Sequence, residues 1–342
     1  MINCSLNKYF PLIFFFTLLL AACQPAAQVT SAALASPEAL PTPLPAPTNT
    51  PLAVTLEAVP VGECKKIAFT LADLNRESPQ PEIYTICADG SQLTRLTDDP
   101  STDLSPSWSP DGTRIAFSST RAGKSHIFVI EPASGELAQV TFAGQQDFPV
   151  WIPGSQSIAY RSTDGKGLWW WEALDLPSGD ITRLSEPSYD FFFQTPAWSP
   201  DGAWLAVMSL AEQAQRNDGA SQIHIRRVDG NQDIALTKDT WANISPRWSP
   251  DGKQIAFLSE RDGNFNQYGL FVMGIDGSQV RRIGSGHYSE GAVFSWSADM
   301  REIAISEPGS GGIVILDLIS GAARPLLVLQ PGQSVFSPDW QP

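Results

Sequence analysis

The five residues Trp108-Ser109-Pro110-Asp111-Gly112 recur without change at Trp198–Gly202 and at Trp248–Gly252. A chain that spells one turn three times is a repeat protein until shown otherwise, and the period decides which kind. Aligned on tryptophan, the copies begin at Trp108, Trp151, Trp198, Trp248 and Trp296, with spacings of 43, 47, 50 and 48 residues. Seven residues after each tryptophan comes an aliphatic residue, then alanine, then an apolar residue: Ile115-Ala116-Phe117, Ile158-Ala159-Tyr160, Leu205-Ala206-Val207, Ile255-Ala256-Phe257 and Ile303-Ala304-Ile305. In four copies a proline stands two residues before the tryptophan, at Pro106, Pro149, Pro196 and Pro246.

Each unit continues in one order. An apolar run such as His126–Ile130 or Leu270–Met273 follows, then a glycine turn such as Ser134-Gly135 or Asp276-Gly277, then a short stretch often ending in Leu-Thr. Short β-rich runs separated by turn residues predict a four-stranded antiparallel unit. Such a unit cannot bury both faces alone, and four-stranded units arranged radially make a propeller. The chain opens with a partial copy: Ile67-Ala68-Phe69, Ile83–Cys87, the Asp89-Gly90 turn and Leu93–Thr97. Its missing first strand is expected at the C-terminus, in Ser334–Asp339, with Phe336 in the tryptophan position. One C-terminal strand completing three N-terminal ones closes a ring of six and removes the open sheet edges. The predicted fold is all-β, a six-bladed propeller over residues 62–342.

Within the repeat, the structural reading of Trp-Ser-Pro-Asp-Gly outweighs a catalytic one. Proline ends the strand, Asp and Gly make the tight turn, and tryptophan fills the gap between blades. The repeated alanine marks a site where neighbouring sheets come close.

Residues 1–61 are of another kind. Lys8 is the only charged residue of the first 22, and Phe10–Ala22 is a mostly apolar run of thirteen residues. Such a run is too short to span a bilayer, which takes about 20 residues, and suits a secretory signal. Its end, Leu20-Ala21-Ala22-Cys23, resembles the lipobox of bacterial lipoproteins. That resemblance implies a signal peptide over 1–22, lipidation of Cys23 and a membrane anchor; the plain alternative is an ordinary signal that ends at a cysteine. Residues 23–61 are rich in Pro, Ala and Thr, favour polyproline II and offer no apolar face, so they read as a tether.

Composition narrows the partners. The net charge of −14 and the lack of a basic block disfavour nucleic acid. With Cys4 in the signal and Cys23 lipidated, Cys64 and Cys87 remain, and an exported chain keeps disulfides. Pairing Ile67 with Tyr84 in a hairpin sets Cys64 opposite Cys87, which predicts a cross-strand disulfide; two free buried thiols are the alternative.

Trp-Ser-Pro-Asp-Gly followed by Ile-Ala-Phe, with Asp-Gly-Ser ahead of Leu-Thr, resembles the repeat of TolB-type six-bladed propellers over about residues 64–340. TolB itself carries an α/β domain ahead of the propeller, where this sequence has the Pro/Ala/Thr segment, so the resemblance implies the fold and not a TolB role. In propellers of this kind the loops between the second and third strands, and those between one blade and the next, gather at one end. Here they hold Asp103, Asp147, Tyr189, Asp190, Phe191, Trp241, His287, Tyr288 and Glu290, with Arg121, Arg161 and Arg261 nearby. Aromatics beside acids suit a peptide, a basic partner or a sugar.

Support for catalysis is thin. No Gly-x-Ser-x-Gly elbow is present, and His126, His224 and His287 have no partner at metal-ligand spacing. Asp262–Asn266 is similar to the start of a calcium loop but has Met273 at position twelve. The run Trp169-Trp170-Trp171 sits on a predicted strand, where alternate rings face opposite ways. The expectation is therefore a monomeric, non-enzymatic protein without metal or cofactor. It would be exported and lipid-anchored on the outer face of the bacterial cell membrane or in the periplasm, and would bind a protein or peptide of the cell envelope. The alternative is a carbohydrate-active or hydrolytic propeller enzyme with its site in the central funnel.

Overall fold

The computed structural model describes residues 64–73, 75, 80–186, 196–210, 221–263, 267–306 and 312–342. Residues Pro60–Pro342 make one compact unit, and its strands assemble into six four-stranded antiparallel sheets. In blade two the strands run Asp103–Trp108, Ile115–Ser119, His126–Ile130 and Leu137–Gln139 from the axis outwards. Blades three to six repeat this order over residues 145–183, 197–235, 243–288 and 293–328. Blade one takes its innermost strand, Gln333–Trp340, from the C-terminus and the rest from Lys66–Asp73, Glu82–Cys87 and Thr94–Arg95. Closure by a C-terminal strand is thus as expected.

The residue that completes it is not. Ile67 pairs with Trp340, as Ile115 pairs with Trp108 and Ile255 with Trp248, whereas Phe336 pairs with Thr70. Trp340, not Phe336, is the sixth tryptophan. The repeats at Trp108 and Trp248 each carry two Ser-Pro pairs, one before and one after the tryptophan, and Ser337-Pro338 is the equivalent of Ser105-Pro106 rather than of Ser109-Pro110. The structure also gives that first pair its function. Ser105, Phe148, Ser245 and Ser337, each followed by proline, have φ of 55°, 52°, 54° and 51°. At each the pairing of the innermost strand with its neighbour shifts. These are β-bulges, which bend a strand and re-aim its side chains. Blade six has Phe294 in place of the proline, and its innermost strand pairs without a shift.

Every tryptophan of the repeat is buried. Trp108 and Ile115 of blade two pack on Ala68 and Ile83 of blade one, Trp151 on Ala116 and Ile127 of blade two, and Trp248 on Ala197 and Ala206 of blade four. The central alanine of each triplet faces the next blade's tryptophan while its flanking residues face the previous blade, the consequence of side chains alternating along a strand. Ala68, Ala116, Ala159, Ala206, Ala256 and Ala304 are all fully inaccessible, so no larger residue fits without pushing two sheets apart.

Cys64 and Cys87 form a disulfide, with Cα atoms 5.7 Å apart. The register differs from the expected one: Phe69, not Ile67, pairs with Tyr84, and Lys66 lies opposite Cys87. Cys64 sits two residues before that pair and reaches Cys87 on the diagonal.

Candidate functional site

The two ends of the ring differ in construction. At one end lie the turns after each tryptophan. Ser109 Oγ donates to Asp111 Oδ1 and accepts from Arg114 N, while Asp111 Oδ1 also accepts from Thr113 N and Gly112 takes φ 67°. The same bonds recur at Ser199/Asp201, Ser249/Asp251 and Ser297/Asp299. The Ser109 hydroxyl and the Thr113 donors hold the Asp111 carboxyl down at about 2. These carboxylates are consumed by their own turns, in agreement with the structural reading of the motif.

The opposite end carries the longer loops and most of the residues singled out in the sequence. Asp103 is fully buried. Arg121 Nη2 lies 2.7 Å from both Asp103 Oδ2 and Asp99 Oδ2 and locks the Asp103 side chain between blades one and two. Next to it, Glu82 accepts from Arg95, Thr97 Oγ1 and Asp99 N. Burial pushes both the Glu82 and the Asp103 carboxyls up. Asp103 is thus a brace rather than a free ligand group. Asp147 meets Arg161 through two bonds of 2.8 Å, and burial raises its carboxyl despite that partner. The Arg161 guanidinium lies 4.5 Å from the Phe148 ring and 4.1 Å from the Trp169 ring, a stack closed on both faces.

Trp241 is 40% exposed and Phe142, which sequence reading passed over, is 76% exposed. Glu290 and His287 are exposed, and Tyr288 is half-buried. His287 Nε2 lies 3.4 Å from Arg282 Nη2. His126 bonds Gln146 and His224 bonds Asp233. No group of three His, Cys, Asp or Glu among the described residues is placed to hold a metal. Asp262, from the stretch similar to a calcium loop, pairs with Arg282 at 2.8 Å. Asn264–Asn266 lie outside the described residues, as do Tyr189, Asp190, Phe191 and Cys23. In the tryptophan run, Trp171 is buried, and Trp170 is half-buried, with its Nε1 donating to Glu172 and Arg183 over its ring.

A third region, the axis, holds residues that the repeat pattern alone does not single out. The residue before each tryptophan projects toward the next blade's innermost strand. Asp339 Oδ2 accepts from Trp108 N at 2.7 Å, Ser107 Oγ from Trp151 N at 3.5 Å, and Ser295 Oγ from Trp340 N at 2.9 Å. Arg247 occupies the equivalent place in blade five. Both charged residues stay partly accessible, although the surrounding protein pushes the Asp339 carboxyl up to about 6 and the Arg247 guanidinium down. The signal lay one residue before each tryptophan, but only after the sixth tryptophan is placed correctly does Asp339 join the set.

Fold and site together define a class: a closed six-bladed propeller with an aromatic-bearing loop end and a polar axis. Residues 61–191 and 149–342 both match the family model for the TolB beta propeller domain, and the chain belongs to that family. A protein named TolB homolog from Chlorobium luteolum is 28% identical over 200 residues, covering 58% of this chain and 33% of that protein. Tricorn protease homolog 1 of Streptomyces coelicolor is 28% identical over 221 residues, covering 63% of this chain and 20% of that one. The chain thus spans a third or less of these relatives. Among solved structures, TolB from Acinetobacter baumannii superposes with a TM-score of 0.69 at 20% identity, over 81% of this chain and 67% of that one. A chain of a nidogen/laminin complex gives 0.58 at 8% identity, over 81% and 98%. At such identities the likeness is one of fold.

Proposed function

We propose that the protein is an exported binding propeller, anchored to a membrane through lipid on Cys23 and held off it by residues 23–61, that captures a protein or peptide of the cell envelope at its loop end. The observation that carries this reading is the set of exposed rings there, Phe142, Phe148 and Trp241, mounted on a closed frame whose charged neighbours are already committed to ion pairs. Rings in water on a rigid support suit an apolar or extended peptide segment, because little order is lost on contact. Membership of the TolB propeller family and the secretory character of residues 1–22 support the same reading.

The experiment is crosslinking and affinity purification of the mature protein from its native envelope, repeated with Phe142→Ser and Trp241→Ser. A defined partner that the double variant loses is the expected result; a partner retained by the correctly folded variant would reject the loop end as the surface. Detergent-phase partition of the expressed protein, lost in Cys23→Ser, tests the anchor separately. Asp339 favours a second reading, in which the axis holds a reactive carboxyl. That reading needs turnover of a glycan or peptide that disappears in Asp339→Asn.

A further inference from the structure

Most charged side chains of the loop end are spent within the chain. Besides the pairs at Glu82, Asp99, Asp103 and Asp147, Asp98 lies 2.7 Å from Arg95, Asp239 lies 3.1 Å from Arg261 and Asp262 lies 2.8 Å from Arg282. Asp164 accepts the N–H groups of Lys166 and Leu168 in its own loop. Among the described residues, two exposed carboxylates of this end have neither an ion pair nor such donors, Glu186 and Glu290. Glu186 adjoins residues outside the described ones, whereas Glu290 is described on both flanks.

The support of Glu290 is built into the fold. Glu290 and Gly291 form a tight turn closed by the bond from Ala292 N to Ser289 O at 3.1 Å, and Ala292 is buried in the core of blades five and six. The strand before the turn ends at Tyr288, opposite the buried Tyr268. The Tyr268 hydroxyl donates to Glu260; burial, and then the charges of Glu260 and Glu290, push that hydroxyl up. Glu290 is thus close to the Tyr268–Glu260 pair. The same Glu260 donates its main-chain N–H to Ala242 O at 3.1 Å, next to Trp241. Trp241 N donates to Asp239 Oδ1 at 3.1 Å and Trp241 O accepts from Asn243 Nδ2 at 3.0 Å. The main chain there is held while the ring stays 40% exposed. A carboxylate without an ion pair and an exposed ring therefore share the loop end of blade five, each on a fixed support.

We infer that Glu290 takes a lysine or arginine side chain of the partner, and that the segment captured at the loop end is a cationic one with an apolar residue for the Trp241 ring. This rests on the reading that the loop end is the capture surface. A carboxylate already paired would have to lose its arginine before a partner could use it, which leaves a charge uncompensated; Glu290 gives up only water. A charge-assisted bond made across the contact strengthens as the partner excludes solvent. The net charge of −14 also favours approach of a cationic segment.

The test is selection from a phage-displayed library of random peptides on the mature protein. The best-enriched peptide is then titrated against wild type, Glu290→Gln, Trp241→Ser and Lys238→Ser, all at exposed positions and each checked to melt as wild type does. Enriched peptides are expected to carry lysine or arginine near an aromatic or aliphatic residue. Kd should rise about fivefold or more in Glu290→Gln, and most at low salt, because exposed charge pairs are screened. Lys238→Ser, which removes a base close to Trp241 in the chain, should bind equally well or more tightly. Enriched peptides without a basic residue, or an affinity unchanged in Glu290→Gln, overturn the assignment. Weaker binding by Lys238→Ser points to an acidic partner and overturns it as well. A peptide bound equally by wild type and Trp241→Ser but lost in Glu290→Gln would reject only the role of the ring. One that neither variant weakens rejects the loop end itself, and a library that yields no binder rejects both readings.

Discussion

The turn end and the loop end of the ring join the same strands, yet one is repeated nearly letter for letter and the other is not. At the turn end a serine, an aspartate and a positive-φ residue close four of the turns that follow a tryptophan, and the tryptophan one step earlier fills the gap to the previous blade. At the loop end the charged groups form pairs that recur only in part, Arg121 with Asp99 and Asp103 and Arg261 with Asp239 and Asn243, and aromatic rings are left in water. Repetition therefore marks where the molecule holds itself together, and variation marks where surface is free to meet something else.

Perturbing the two ends should separate them by size of effect. Trp108→Ala removes a buried indole between blades one and two and should cost about 3–5 kcal/mol, read from denaturant midpoints. A loss below ~1 kcal/mol would mean that the tryptophans do not hold the blades together. At the axis, the Asp339 carboxyl is raised to about 6 in the fold, against ~3.9 in an unfolded chain. The folded state thus holds this proton more tightly. The group's contribution is unfavourable at neutral pH and is relieved as pH falls from about 7 to about 4, by about 1–3 kcal/mol. The difference in melting temperature between Asp339→Asn and wild type should narrow or reverse over that range, whereas parallel curves would show that Asp339 does not titrate there.

A finer contrast lies within the turn end. Met300 takes φ 59° where Gly112, Gly202 and Gly252 take 67–70°. A Cβ is strained in the left-handed region, so Met300→Gly should stabilise by about 0.5–1 kcal/mol after the entropy of glycine is counted; a destabilisation would show that the Met300 side chain contributes packing. The smallest effect belongs to the loop end. Phe142→Ser, at a ring 76% exposed, should leave stability within ~0.5 kcal/mol, measured by the same midpoints. A large loss there would erase the distinction between the ends.

Much of the architecture is legible in the letters because each element of the repeat acts locally. Ser-Pro-Asp-Gly closes a turn with atoms no more than five residues apart, and Ile-Ala-Phe alternates faces within one strand. Number of blades, strand order and closure by the C-terminus all follow from counting such units. Register did not follow. A slip of two residues in the first hairpin, and of four at the last tryptophan, preserves the apolar alternation and so leaves no trace in a period-two pattern. At the last tryptophan the bulge at Ser337 accompanies the true pairing; the first hairpin pairs without one.

The loop residues were harder still. Asp103, Asp147 and Glu290 look alike in the sequence, but Asp103 is enclosed, Asp147 is clamped by Arg161, and Glu290 is exposed. Their differences come from partners such as Arg121, 18 residues from Asp103, brought in by blade geometry. The sequence alone determined a six-bladed ring with self-contained turns, since those interactions are short in range and repeated. Tertiary structure alone decided that Asp339 and Arg247 share an axis. Groups 92 residues apart along the chain become neighbours only when the ring closes.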